Sequence, residues 1–313
     1  MPEDPSANGT CNLVVETHPP ADTATGRTIL EIGLDDGNGP ADPGLEFLGG
    51  DFRREYWQAP AGQVRGFVFS EPDSPEADAA VAAEKLYARL IQALQQSRFG
   101  YPLRIWNYFP AINSGLRDRE RYRRFCIGRG RALEAAGLED ARMCAATAIG
   151  SQREVMQLVA LAGLEPGISI ENPRQVSSWN YPRSYGPRQP AFARATGIHM
   201  PDGQAGLLIS GTASVVGHAT THPGDALAQT DEAAINLEAL LTHAAIAMNQ
   251  SALAQFGRHS LARVYVRQPE AWPAIERRLR QRWPALRLCG LHGDICREDL
   301  LVEIEAWHAT HGH

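Results

Sequence analysis

The chain has almost no lysine. Of its 30 basic residues, Lys85 alone is a lysine, and it falls inside a helix pattern over 76–96, so Schiff-base and pyridoxal chemistry have no suitable residue. A G-K-[ST] phosphate loop is absent too. The five cysteines, Cys11, Cys126, Cys144, Cys289 and Cys296, form no C-x-x-C pair. Their odd number points to neither a disulfide framework nor a structural zinc site. No apolar run approaches the ~18 to 20 residues of a membrane helix, and residues 1–10 lack the basic and apolar regions of a secretory signal. The expectation is a cytoplasmic chain with no membrane partner. The formal charge of −6 argues against nucleic acid, which calls for a basic surface. G-x-S-x-G and H-E-x-x-H are also missing, which removes the common hydrolase signatures.

Two further patterns carry little. Gly128-x-Gly130 lies within a helix pattern, with Leu133 where a dinucleotide loop would need glycine. His308, His311 and His313 read as a disordered tail, and no metal is expected.

What is present is an ordinary globular composition, 43% hydrophobic and 21% charged over 313 residues, ample for two domains. Residues 1–27, rich in Pro, Asp, Thr and Gly, read as an N-terminal arm. Strand patterns at 66–70, 103–112, 144–149 and 155–160 alternate with helix patterns at 75–96 and 119–136. The second half repeats the theme. A strand pair is predicted over 206–216, helices over 230–249 and 269–283, and strands over 261–267, 287–296 and 300–307. Both halves read β-α-β-α-β, which implies two related α+β domains, 28–170 and 201–313, joined through 171–200.

The joining segment is long for a loop, and long loops are often functional. It interleaves Arg174, Arg183, Arg188 and Arg194 with Trp179, Tyr181, Tyr185 and Phe192. Guanidinium forks pair with carboxylates and phenols add an apolar wall with a polar tip, so the mixture suits a small cyclic polycarboxylate. A solvated loop accounts for the same composition. Near the C-terminus, Glu303 and Glu305 share one strand face opposite Val302, Ile304 and Ala306; solvent exposure is the simpler reading of both carboxylates, and a catalytic carboxylate is the other. Cys296 reads as a small buried hydrophobe.

Residues 209–241 (ISGTASVVGHATTHPGDALAQTDEAAINLEALL), with VYVRQPEAW at 264–272 and LLVEIEA at 300–306, resemble the YjgF/RidA superfamily, including Gly224, Asp225, Gln229 and Asn236. That superfamily's P-A-R-[ST] motif is replaced by PALRLC at 284–289, a departure from its imine deaminases. The segments RIWNYFPAIN (104–113), ERYRRFCIGRGRAL (120–133), NPRQV (172–176), YPRSYGPRQPAFARA (181–195), SGTASVVGH (210–218) and GDICREDLLVEIE (293–305) together resemble the chorismatases, over about residues 65–306.

The resemblance implies two YjgF-like domains whose sheets pack around a threefold core, a homotrimer, no cofactor, and chorismate as substrate. It implies Glu303 as the acid that cleaves the enol ether, and Arg129, Tyr185 and Arg194 as substrate-facing positions, with Tyr181 and Arg188 as neighbouring candidates. Cys296 matches a position where hydroxybenzoate-forming members carry cysteine and hydrolytic members alanine. Ala213 matches a second product-controlling position, where strict 3-hydroxybenzoate formers carry glycine. The pattern is that of the xanthomonadin-pathway type, which makes 3- and 4-hydroxybenzoate with pyruvate. Hydrolysis to a dihydroxycyclohexadiene carboxylate, RidA-like imine deamination and non-catalytic binding of a small molecule are the alternatives.

Overall fold

The computed structural model describes residues 10–17, 27–35, 45–51, 54–60, 64–139, 143–199 and 204–310. Four strands open the chain, β1 (Thr10–Thr17), β2 (Arg27–Asp35), β3 (Leu45–Gly50) and β4 (Arg54–Pro60). Within the expected N-terminal arm, β1 pairs antiparallel with β2; the remainder of 1–26 lies outside the described residues. There follow β5 (Val64–Pro72), α1 (Ala79–Gln95), β6 (Tyr101–Pro110), α2 (Arg121–Ala135), β7 (Ala145–Ser151) and β8 (Val155–Gly163). The second half contains β9 (Ile168–Ile170), β10 (Ala195–His199), β11 (Ala205–Ala213), the ribbon β12 (Val215–Val216) and β13 (Ala219–Thr220), and α3 (Ala226–Ala247). It ends with β14 (Leu261–Val266), α4 (Trp272–Arg282), β15 (Arg287–His292), β16 (Asp294–Ile295) and β17 (Val302–Ala309).

The strands form two mixed sheets, ordered β16-β7-β6-β8-β5 and β4-β2-β1-β3-β15-β14-β17-β11-β10-β9. Each contains one parallel pair joined by a helical crossover, β6 with β7 and β14 with β15. The segment β7-β6-β8-β5 therefore has the same connectivity as β15-β14-β17-β11. Leu86, Leu90, Phe125 and Leu133 of α1 and α2 pack on Ile105, Phe109 and Leu158 on one face of the smaller sheet. Leu237, Leu241, Ile275 and Leu279 of α3 and α4 cover Ile209, Val264 and Ile304 of the larger one. The remaining faces meet each other, with Leu103, Trp106, Tyr108, Val159 and Leu161 against Leu208, Tyr265 and Leu291. The layers run helix, sheet, sheet, helix. Truncating Leu161 in the central seam to alanine would cost roughly 2 to 5 kcal/mol. Along this seam the inner faces of the two sheets cover each other within one chain.

Several local readings change. Residues 206–216 form one strand and the start of a ribbon, because β11 pairs with β10 on one side and β17 on the other and is buried on both faces, which erases alternation. His308 belongs to β17, where its Nδ1 lies 2.7 Å from the buried Ser260 hydroxyl, so it is part of the core; His311 and His313 lie outside the described residues. Gly128 serves helix packing, since a Cβ there would overlap the Ala80 carbonyl of α1. Lys85 lies on the exposed side of α1 beside Glu71. Among the described residues no helix is long and apolar enough to cross a membrane, and no group of His, Cys, Asp or Glu is placed to hold a metal ion.

Candidate active site

β17 turns Val302, Ile304 and Ala306 toward the helices and Glu303 and Glu305 toward the other sheet. The expected solvent exposure fails because the N-terminal sheet covers that face, leaving Glu303 5% and Glu305 3% exposed. Glu305 accepts hydrogen bonds from Arg104 Nη2 (2.6 Å), Thr147 Oγ1 (2.6 Å) and Trp106 Nε1 (2.9 Å) of one sheet. From its own sheet it accepts from Arg263 Nη1 (2.8 Å) and the Tyr265 hydroxyl (3.1 Å). Burial alone would raise its pKa, but Arg104, Arg263 and these donors outweigh burial and hold it below the ordinary value. Glu303 has no hydrogen-bonding side chain among the described residues. Burial, with the Glu305 anion beside it, pushes its carboxyl up to about 8, against the opposing pull of Arg104, Arg194 and Arg297.

Room for Glu303 comes from the facing strand. Between Ile209↔Ala306 and Thr212↔Ile304 the register slips, so β11 carries an extra residue there, a bulge of the kind found beside active sites. Gly211 sits in it. A Cβ at 211 would overlap Glu303 Oε1, and the Gly211 N–H donates to Thr147 Oγ1 at 3.0 Å.

Glu303 faces a cavity of about 600 Å³. Gly211, Ala213 and Cys296 form its floor beside the carboxyl, and Tyr122 adds a ring from α2. Tyr181, Tyr185, Phe192 and Arg194 of the long loop form one wall. Arg194 is buried and donates through Nη2 to Val176 O and the Tyr181 hydroxyl, both at 2.8 Å, with its guanidinium 5.0 Å from the Phe192 ring centre. Arg297 stacks on Tyr185 at 4.2 Å and Tyr181 at 5.4 Å. Its Nη1 donates to His218 O at 2.9 Å.

The segment after β16 carries Cys296 and Arg297, and Arg267 organises it. Arg267 pairs with Asp294 at 2.5 Å and donates to the carbonyls of Ile295, Arg297 and Leu300 at 2.9 to 3.0 Å. From α3, Gln229 Oε1 accepts from Leu301 N at 2.7 Å, and Asn236 Nδ2 donates to Ala213 O and Val215 O at 3.0 and 2.9 Å. Burial and the neighbouring Glu303 push the Cys296 thiol up, so it stays protonated and cannot serve as a thiolate at neutral pH.

A buried carboxylic acid facing a cavity lined by arginines and tyrosines, Arg194, Arg297, Tyr181 and Tyr185 among them, can protonate a bound anion. The family model described as "Chorismatase FkbO/Hyg5-like, N-terminal" matches residues 56–162. A 3-hydroxybenzoate synthase of Streptomyces hygroscopicus is 39% identical over 232 residues, covering 72% of this chain and 68% of the relative. A chorismatase of the same species is 38% identical over 261 residues, with 80% and 72% covered. The chain belongs to the chorismatase family. A chorismatase crystal structure is also similar, with a TM-score of 0.70 and 33% identity over 81% of this chain and 76% of that one.

Within this chorismatase-family chain, Glu303, Cys296, Ala213, Tyr181, Tyr185 and Arg194 come together at the cavity, while Arg129 and Arg188 do not line it. Arg129 is buried in α2, its guanidinium 5.1 Å from the Phe125 ring centre and its Nη2 3.7 Å from Cys126 Sγ. Arg188 pairs with Glu134. Arg174 and Arg183 pair with Glu232 and Asp118, each at 2.6 Å, so three of the four loop arginines have carboxylate partners from outside the loop. Sequence reasoning missed Arg297, Tyr122, Gly211 and the donors around Glu305. Arg104 and Trp106 stand in RIWNYFPAIN and Arg297 in GDICREDLL, which signalled the family without separating these side chains from their neighbours.

Proposed function

We propose that the chain converts chorismate into 3-hydroxybenzoate and pyruvate, with 4-hydroxybenzoate as a second product. The observation that carries this reading is Glu303, a buried carboxyl that faces the cavity with no hydrogen-bonding side chain among the described residues; burial and the Glu305 anion push its pKa up to about 8. The Glu303 proton passes to the terminal methylene carbon of the enolpyruvyl ether, giving a methyl group and an oxocarbenium ion. An oxygen nucleophile adds to that cation and the adduct collapses to pyruvate. When the ring hydroxyl adds, it returns its proton to the Glu303 carboxylate and closes a cyclic ketal. One ring C–O bond then breaks as the proton on the other oxygen-bearing ring carbon leaves, which aromatises the ring. The resulting hemiketal alkoxide collapses to pyruvate, releasing the phenol oxygen, which takes up that proton. When water adds instead, the ring leaves as a dihydroxycyclohexadiene carboxylate. The two outcomes differ by one water molecule, so product choice rests on what fills the space beside Glu303, where Cys296 and Ala213 stand. Of the four arginines that line the cavity, Arg194 and Arg297 pack on its aromatic wall and are assigned to the two substrate carboxylates, and Tyr181 and Tyr185 supply the ring wall.

The repeated strand order and the parallel pair support two YjgF-like units, β5 to β8 and β11 to β17, with the substrate loop 171–200 between them. The bounds 28–170 and 201–313 do not follow the sheets, because β2 to β4 and β9 join the larger sheet and β16 joins the smaller one. Incubation of the purified chain with chorismate tests the activity, with pyruvate assayed enzymatically and aromatic acids separated by chromatography. Equimolar pyruvate and hydroxybenzoate are expected. Pyruvate with only the dihydroxy acid makes the chain a hydrolase. No pyruvate at all removes the reading in favour of an imine deaminase or a binding protein.

A further inference from the structure

Directly behind Glu303 the two sheets are stitched together by hydroxyl groups. Ala145 N–H donates to Thr196 Oγ1 at 2.8 Å and Ala146 N–H to Ser210 Oγ at 2.9 Å. The next link runs the other way, from Gly211 N–H to Thr147 Oγ1 at 3.0 Å. Only this third link reaches the carboxylates. The Thr147 hydroxyl has one proton, which goes to Glu305 Oε2 at 2.6 Å, and its lone pairs accept from Gly211 N–H and Arg104 Nη2. Its hydrogen-bonding capacity is filled, and it is buried.

Gly211 is the bulge residue against which the Glu303 carboxyl lies. A side chain from the N-terminal sheet therefore joins the anchor of one glutamate to the backbone that shapes the pocket of the other. We propose that Thr147 is a positioning residue for Glu303: its hydroxyl ties the Gly211 bulge to the Glu305 anion and so fixes the acid's carboxyl against the cavity. The inference rests on the acid role given to Glu303 above. Its rival is simple packing, in which the methyl group and volume of Thr147 matter and the hydroxyl does not.

Thr147→Val keeps shape and removes the hydroxyl; Thr147→Ser keeps the hydroxyl and removes the methyl. On chorismate, Thr147→Val is expected to lower kcat roughly 10- to 100-fold, the scale of a small misplacement of a reacting group, with KM within about threefold. Thr147→Ser should restore kcat to within about threefold of the parent. A relaxed bulge lets water reach Glu303, so the alkaline limb of the valine variant's kcat profile should move to lower pH by about half a unit or more. The other charged or titratable groups around Glu303 keep their identity in both variants. Arg194, Arg297, Cys296, Tyr122, Tyr181 and Tyr185 do not touch the Thr147 hydroxyl, whereas Glu305 and Arg104 lose their hydrogen bond to it in Thr147→Val and keep it in Thr147→Ser. Thr147→Ala, with less to pack, replaces the valine variant if that one does not fold.

The inference is overturned by wild-type kcat and pH profile in the valine variant, or by a serine variant as slow as valine. If the parent chain turns over no chorismate, the acid reading has failed, and positioning is read without activity. A carbon-13 NMR titration of the Glu303 carboxyl, assigned by its loss in Glu303→Gln, should still report a lower midpoint in Thr147→Val, and an unmoved midpoint rejects the proposal.

Discussion

Glu303 and Glu305 stand two residues apart on the inner face of β17, and their surroundings hold them in opposite protonation states. Five donors, two of them guanidinium groups, surround Glu305 and keep it ionised. Among the described residues no donor side chain reaches Glu303, and the adjacent anion discourages a second charge. One strand thus holds a structural anion and an available proton, and environment rather than residue type separates them. Environments that push two carboxyl pKa values apart mark acid and base assignments in active sites.

The Glu303 proton should control both rate and stability. Glu303→Gln keeps shape and removes the transferable proton, so turnover should fall roughly 100-fold or more with the fold intact by circular dichroism. In the parent, kcat should decline as pH rises through about 8. Because the folded pKa lies above the ordinary 4.5, the native state holds a proton that the unfolded chain releases. That contribution to stability is complete below the ordinary range and is lost as pH rises through about 8, at up to about 1.4 kcal/mol per pH unit. Thermal melts at pH 5 and pH 9 should therefore show Glu303→Gln losing less stability than the parent. Equal losses in both proteins would contradict the raised carboxyl.

Glu305→Gln should damage the fold more than a surface change would. It turns an amide toward donors that need an acceptor and leaves Arg104 and Arg263 without their anion, a loss of roughly 3 to 5 kcal/mol for a broken buried pair. Urea denaturation measures it. A change under about 1 kcal/mol would put Glu305 among ordinary exposed carboxylates.

The helices and most strands are legible in the sequence because Leu86, Leu90, Ile91 and Leu94, or Trp272, Ile275 and Leu279, recur with the period of the element they bury. The same reasoning assigns Glu303 and Glu305 correctly to one face. It fails on exposure, because period-two alternation says which residues share a face and nothing about what covers it. That cover is Arg104, Trp106 and Thr147, roughly 150 to 200 residues away in sequence. The arginine loop fails in the opposite sense. Arg183 and Arg188 have the composition of ligand-binding residues but are paired with Asp118 and Glu134, partners that no local pattern reveals. The Gly211 bulge was invisible too, since Ser210-Gly211-Thr212 reads as a plain strand until β17 fixes the register.

Arg194 and Arg129 should now separate. Arg194→Lys keeps charge but loses the planar fork that holds Val176 O and the Tyr181 hydroxyl beside the cavity, so kcat/KM for chorismate should fall by ~1.5 to 3 kcal/mol. Arg129→Lys, away from the lining, should act on stability and leave KM near its parent value. Wild-type kinetics for Arg194→Lys would return that residue to a purely structural role. A large KM rise in Arg129→Lys would extend the substrate site behind Tyr122.

If Cys296 controls product, it should do so through the space it occupies. Its thiol stays protonated, which removes it as a nucleophile, and it packs against Ala213, Ile295 and Leu300 while bordering the cavity beside Glu303. Cys296→Ala opens a volume of about one sulfur atom at that spot, and a cavity lined on one side by a carboxyl and arginines is polar enough to hold water. Water competing with the ring hydroxyl for the oxocarbenium ion should divert product from hydroxybenzoate toward the dihydroxycyclohexadiene acid, with total pyruvate within about threefold of the parent because protonation by Glu303 is untouched. Cys296→Ser fills nearly the same volume and should stay closer to the parent profile. Chromatography of the acids at matched pyruvate release measures the partition. Collapse of pyruvate release in both variants would mean that the sulfur takes part in the chemistry. An unchanged profile in Cys296→Ala would leave the thiol as core packing and move the search for product control to Ala213, the other small side chain on the same floor.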